Sequence, residues 1–223
     1  MVLRNRPRVS IVDFGMGNLF SVQQACRVAE IDATIDADPQ ALLNADGLIL
    51  PGVGAFADAM AVLRQRRLID PLLRRVGEGV PLMGVCLGLQ LLMGESLEFG
   101  RHAGLGLIEG TVRHLRDPAG ANGGVGNAVK VPHVGWEPIR PARDWQGSLL
   151  EGVPADAQMY FVHSFYIEPH PGEQALATAS HGALAFACAI ERANIFACQF
   201  HPERSGAIGL QVYRNFSRRL LGP

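Results

Sequence analysis

Val80-Pro81-Leu82-Met83-Gly84-Val85-Cys86-Leu87-Gly88-Leu89-Gln90-Leu91-Leu92-Met93 begins as a short apolar run and ends as a helical one. One cysteine stands at the changeover, with Gly84 and Gly88 two residues to either side. A strand that turns abruptly into a helix strains the residue at the corner. Its neighbours must be small, because backbones pass close by. The corner side chain then projects into the crevice at the strand's carboxyl end, over the first N–H groups of the helix, where a thiolate is favoured. Taken alone, the stretch is equally compatible with a cysteine buried between two ordinary glycines.

Toward the N-terminus, strands and helices alternate. Residues 9–14 form a β-branched apolar run ending in Asp13-Phe14-Gly15-Met16-Gly17-Asn18, and Asn18 suits the cap of a helix carrying Leu19, Val22, Cys26 and Ala29. The Gly-x-Gly pair lacks the third glycine of a dinucleotide fingerprint, which leaves a tight turn. Residues 33–35 form a second strand, and Asp38-Pro39 opens a short helix with cap and N1 proline in the right order. Residues 47–50 form a third strand that runs into Pro51-Gly52-Val53-Gly54, a small-residue turn able to expose backbone N–H groups as an oxyanion hole. Residues 57–76 read as helical with a break at Pro71, and 81–85 as the fourth strand. Such alternation implies a mostly parallel sheet flanked by helices, with ligands collecting at the carboxyl ends of its strands.

Beyond Glu95 the pattern changes. A strand is expected at 107–115, a mobile glycine-rich loop at 117–127, and an aromatic beside a glycine turn at 131–136. Strands follow at 160–166, 175–180, 183–191 and 194–200. This half reads as an additional antiparallel or mixed sheet. Residues 207–221 close the chain as an amphipathic helix with Ile208, Val212, Phe216 and Leu220 on one face. Without repeat or linker, residues 1–223 read as one α/β domain.

Composition narrows the function. Hydrophobic residues make up 48% of the chain and charged residues 18%, with a formal net charge of −1. That balance argues against a nucleic-acid or acidic-membrane partner. No segment reads as a membrane span. Cys26, Cys86, Cys188 and Cys198 match no zinc spacing and no disulfide framework, which favours a reducing, cytoplasmic setting. No metal or cofactor is expected.

A cysteine nucleophile needs a base, and the base an orienting acid. In Phe200-His201-Pro202-Glu203, His201 and Glu203 stand two apart on an extended segment and point to one side. His201 would take the thiol proton, and Glu203 would fix the imidazole tautomer. His133 and His163 lie in strand-like aromatic segments and read as structural histidines. His102, His114, His170 and His181 read as surface, and Cys26, Cys188 and Cys198 as core.

These pieces resemble the class I (triad) glutamine amidotransferases, and within them the glutaminase-subunit family of imidazole glycerol phosphate synthase. The cysteine elbow with His-Pro-Glu is specific to the class. Pro132-His133-Val134-Gly135-Trp136 and Tyr160-Phe161-Val162-His163-Ser164 point to the family within it. The resemblance implies that Cys86 attacks the side-chain amide of glutamine through a γ-glutamyl thioester, with Cys86, His201 and Glu203 as the triad. It implies substrate contacts from Gly52, Leu87, Gln90, Ser164 and Phe165, and an oxyanion hole from Leu87 with Gly52 or Val53 after a peptide flip. It implies a heterodimer with a (β/α)8-barrel cyclase that receives the ammonia to form imidazole glycerol phosphate and AICAR in histidine biosynthesis. Asn18, Trp136, Tyr160 and Arg204 match positions facing that partner. The chain departs from the family at Glu137 (usually asparagine), at Arg204 (commonly lysine) and in a longer 117–127 loop. An anthranilate- or GMP-pathway glutaminase, or a Cys-elbow hydrolase of another kind, would share Cys86 and differ in acceptor or chemistry.

Overall fold

The computed structural model describes residues 7–117 and 130–222. The first half alternates as expected through β1 (Arg8–Val12), α1 (Leu19–Val28), β2 (Asp32–Asp36), α2 (Pro39–Leu43), β3 (Gly47–Leu50), α3 (Phe56–Gln65), α4 (Ile69–Gly77), β4 (Leu82–Val85) and α5 (Leu87–Leu92). Both expected caps are in place: the Asn18 side chain accepts from the Ser21 N–H, and Asp38 from the Gln40 N–H with Pro39 following. The second half runs through β5 (Met93–Ser96), β6 (His102–Ala103), β7 (Ile108–His114), β8 (His133–Pro141), β9 (Ala157–His163), β10 (Phe165–Pro169), β11 (Ala175–His181), β12 (Leu184–Arg192) and β13 (Ile195–Cys198). It ends in a 3-10 turn, Pro202–Arg204, and α6 (Gly206–Leu220).

Strands β2-β1-β3-β4-β13 lie side by side and parallel. Along them, side chains alternate between two apolar layers. Val9, Ile11, Ile49, Met83 and Val85 face α1 and α6, while Val12, Leu48, Leu50 and Leu82 face α2 to α5. Buried on both sides, the inner strands β3, β4 and β13 are apolar nearly throughout, whereas the edge strand β2 is polar and largely exposed. On α6, Val212, Tyr213 and Phe216 are fully buried, each contributing roughly 1.5–3 kcal/mol of apolar burial.

The antiparallel strands extend this sheet rather than forming a separate one. The order continues from β13 through β12, β10, β7, β5 and β6, and a branch leaves β12 through β11 and β8 to β9. Because β13 is parallel to β4 and paired with it, the segment after β13 emerges beside the end of β4.

Several expected boundaries are corrected. The helix expected over 57–76 is two helices, and the break lies at Arg66-Arg67-Leu68, where Arg67 has φ 57°. Pro71 sits in the first turn of α4, where its missing N–H costs nothing. The strand expected over 160–166 breaks at Ser164 into β9, paired with β8, and β10, paired with β7. The glycine turn expected near 131–136 lies within a nine-residue strand. Met93 begins β5 instead of ending α5. Ile208 is exposed, and Tyr213 takes its place on the buried face of α6. The loop expected at 117–127 lies, after Asp117, outside the described residues. Among the described residues no helix is long and apolar enough to cross a membrane.

Candidate active site

β4 ends at Val85 and α5 begins at Leu87, so Cys86 makes the whole turn, with φ 55° and ψ −109°. For a residue with a Cβ this is a strained conformation, held here by what surrounds it. The Cys86 N–H donates to the Cys198 carbonyl at 2.8 Å, tying the corner to β13. A Cβ on Gly88 would stand 1.7 Å from the Leu50 carbonyl oxygen, so only glycine lets α5 start against the end of β3.

The histidine and glutamate converge with this cysteine. Segment 199–203 leaves β13, the parallel neighbour of β4, and places buried His201 beside the elbow. His201 Nδ1 lies 2.7 Å from Glu203 Oε1, whose side chain is also buried. His201 Nε2 has no hydrogen-bond partner among the described residues. The Cys86 sulfur stands outside normal hydrogen-bond geometry from it, yet near enough to act on its charge. Burial alone pushes the imidazole pKa down. The hydrogen bond to Glu203 and Coulombic attraction toward Cys86 and Glu203 outweigh burial and push it up to about 10.

Gln199, assigned no role from the sequence, is fully buried and spans the site. Its Nε2 approaches the Cys86 sulfur at 3.6 Å, and its Oε1 accepts from Gln90 Nε2 at 3.1 Å. The second Gln90 hydrogen goes to the Phe165 carbonyl, also at 3.1 Å, which leaves the Gln90 carbonyl oxygen as a free acceptor. Glu203 lies in the 3-10 turn and not on the expected extended segment, but Gln199 stands two residues before extended His201 and shares its side, which was the available signal for it. Buried Tyr213 lies by Glu203, whose carboxylate adds to the burial that pushes the phenol pKa up.

The site opens into a cavity of about 400 Å³ whose lining includes Cys86, Leu87, Gln90, Val53, Ser164 and Phe165. Of the expected substrate contacts, Gly52 alone does not line it. The Gly52 carbonyl instead accepts the Leu87 N–H at 3.3 Å, so the expected oxyanion donor is engaged and the hole is not formed in this arrangement. Glu98, Phe99 and His114 are among the lining residues that were not expected. Glu98 is buried and accepts the Phe56 N–H through Oε2 at 2.6 Å. Phe99 packs edge-on to Phe165 with ring centroids 6.2 Å apart. His114, expected at the surface, packs edge-on to Phe165 at 5.0 Å.

The remaining candidates separate. His133 and His163 are opposite one another in β8 and β9, with Nδ1 of the first 3.0 Å from Nε2 of the second. Both are buried, and burial pushes their pKa values down to about 4 and about 3. His181, also expected at the surface, stacks on His133 with centroids 4.0 Å apart. Cys26, Cys188 and Cys198 are buried and free, and burial raises all three thiols, Cys26 to about 12.

Near His201 the surface carries an aromatic stack. The Arg204 guanidinium lies 4.3 Å from the Tyr160 ring centroid, and Trp136, half exposed, packs edge-on to Tyr160 at 5.8 Å. Asn18 is exposed, with its side chain occupied in capping α1.

Comparisons with known proteins agree with this arrangement. The family model of class-I glutamine amidotransferases matches residues 10–219. The protein named imidazole glycerol phosphate synthase subunit HisH of Moorella thermoacetica is 47% identical, with 93% of each chain covered. That of Geobacter sulfurreducens is 43% identical over 94% of this chain and 97% of its own. The solved structure of PurLQS from Thermotoga maritima superposes with a TM-score of 0.72 at 16% identity, over 96% of this chain and 99% of that one, which shows the fold.

Proposed function

The chain belongs to the class-I glutamine amidotransferase family, and on that premise we propose that it is the glutaminase subunit of imidazole glycerol phosphate synthase. It hydrolyses glutamine to glutamate and ammonia, working in the cytoplasm as one domain over residues 1–223. The observation that carries this reading is the convergence of Cys86, His201 and Glu203 at adjoining parallel strand ends, with the sulfur lining the cavity.

Cys86 is the nucleophile. Its sulfur attacks the side-chain amide carbon of glutamine with the proton it gives up already resting on His201, whose hold on a proton is strengthened. The carbon–nitrogen bond breaks, His201 returns the proton to the leaving nitrogen, and ammonia departs. Water, deprotonated by the same imidazole, then attacks the γ-glutamyl thioester and releases glutamate. Glu203 holds Nδ1–H and stabilises the imidazolium. The tetrahedral oxyanion requires donors, so the 52–53 peptide rotates, freeing the Leu87 N–H and presenting that of Val53. Gln90 and the backbone at Ser164 and Phe165 grip the substrate, and the Glu98 carboxylate receives its ammonium.

Ammonia is useful only if kept from water. The Trp136–Tyr160–Arg204 stack, a few ångströms from His201, is where we place the (β/α)8 cyclase, and we assign Asn18 to the same interface. The test is co-purification with a barrel cyclase, followed by glutamine-dependent formation of imidazole glycerol phosphate. Complex formation with ammonia transfer supports the reading. Glutamine hydrolysis without transfer, restored by an anthranilate- or GMP-pathway acceptor, replaces it.

A further inference from the structure

Behind the cavity wall, His133, Glu137 and His181 each offer a ligand atom, all within 4.8 Å of one another. No step of the reaction uses these atoms. Hydrogen bonds at the far side of each ring fix where the hydrogens are. His163 Nδ1 is 2.8 Å from the Phe165 carbonyl, which can only accept, so Nδ1 carries the hydrogen and His163 Nε2 is a lone pair. His133 Nδ1, facing that lone pair at 3.0 Å, must be the donor, and in the neutral ring Nε2 is left bare. His181 Nε2 is 2.7 Å from the Lys130 carbonyl, so by the same reasoning His181 Nδ1 is bare.

Two imidazole nitrogens without hydrogens and a carboxylate therefore lie close to one another. His133 is 2% exposed, and its Nε2 has no hydrogen-bond partner among the described residues. That atom stands 3.6 Å from Glu137 Oε1, too far for a hydrogen bond. It is close to the about 3.4 Å edge of a tetrahedron built on metal–ligand bonds of about 2.1 Å. Acceptors facing one another in a buried place repel unless a cation sits among them.

We propose that His133, Glu137 and His181 bind one divalent transition-metal ion of the zinc type, leaving its fourth position open to solvent. Two imidazoles with one carboxylate suit zinc, cobalt or nickel and not magnesium or calcium, which take oxygen ligands. Glu137 and His181 are half exposed and give the ion a way in. The His133 and His181 rings are stacked with an 18° tilt, so their lone pairs run side by side. His181 is the last residue of β11, before a turn at Gly182, and rotation of its side chain brings the lone pairs together. The bound ion would lock the donor state of His133 toward His163, whose neighbours Ser164 and Phe165 line the cavity.

The test uses the full chain, free of affinity tags, with Cys86→Ser to remove the cavity-lining thiol as a competing ligand. Equilibrium dialysis against Zn2+ is expected to leave one ion per chain, and Co2+ to give the intense visible bands of tetrahedral coordination. Adding Glu137→Gln or His181→Ala should weaken binding by roughly tenfold or more, with unchanged circular dichroism and metal-free melting temperature. Excess Mg2+ should not displace the ion. Absence of stoichiometric binding in Cys86→Ser, or equal binding in both added variants, overturns the proposal and leaves His133, Glu137 and His181 as neighbours that hold no ion.

Discussion

The Leu87 N–H, one of the two proposed oxyanion donors, donates to the Gly52 carbonyl at 3.3 Å. In this arrangement the cysteine elbow and the turn after β3 satisfy each other's backbone groups, and the proposed nucleophile stands without the proposed oxyanion hole. A carbonyl points where a donor is required, so the resting chain is poorly built to stabilise negative charge. Rotation of one peptide corrects this. Glycine at 52, and Gly54 with φ +111°, leave the backbone on either side of Val53 free to move.

Replacing Val53 by proline removes the N–H that the rotated peptide would present. Val53 is 44% exposed and anchors no core, so the fold should persist. The expected outcome is a fall in kcat of about 10²–10³ with little change in KM, measured as steady-state glutamine hydrolysis in the complex. An unchanged kcat would place the donor elsewhere.

Glu98 is proposed to meet the substrate's ammonium. Glu98→Gln keeps an oxygen for the Phe56 N–H and removes the charge. A charge-assisted hydrogen bond of about 1.5–3 kcal/mol is then lost, raising KM by roughly ten- to a hundredfold while kcat changes less. Steady-state kinetics with glutamine reads this directly, and an unaltered KM removes Glu98 from the substrate site.

The raised His201 pKa makes a pH prediction with a definite sign. The folded value of about 10 lies above the ordinary 6.5, so the charged imidazole stabilises the folded chain. That contribution is fully present below pH 6.5 and is lost as pH rises through about 10. Thermal unfolding of wild type and His201→Asn should therefore differ most at neutral and lower pH and converge above pH 10. Nuclear magnetic resonance of the imidazole should show its titration moving down in Cys86→Ala, because one of the groups holding it up is gone. A titration unmoved by that substitution would separate the histidine from the cysteine.

The parallel half of the fold was legible because it is written locally. Its inner strands are apolar on both faces, its turns carry Asp38-Pro39 and Pro51-Gly52-Val53-Gly54, and the elbow announces itself through Gly84 and Gly88. The Cys86, His201 and Glu203 cluster followed, because parallel strands deliver their carboxyl ends to one edge. What was not legible is non-local. Ser164 breaks a continuous β-forming run because β9 and β10 pair with different partners, β8 and β7. His114 and His181 sit in polar contexts along the chain, yet one meets Phe165 and the other His133 only through strand pairing. Glu98 and Gln199 are polar residues of ordinary appearance whose roles come from what lies across the cavity. The Gly52–Leu87 bond depends on a single peptide orientation, which side-chain identity does not encode.

The central claim is that Cys86 carries the glutamyl group, and trapping it tests that claim most directly. The complex with its cyclase is mixed with isotopically labelled glutamine, quenched in acid within a turnover, digested and analysed by mass spectrometry. A labelled γ-glutamyl adduct on the peptide containing Cys86 is predicted, and Cys86→Ala should lose both the adduct and all glutamine hydrolysis while still binding its partner. Hydrolysis surviving in Cys86→Ala, or a label on any other residue, would contradict the account.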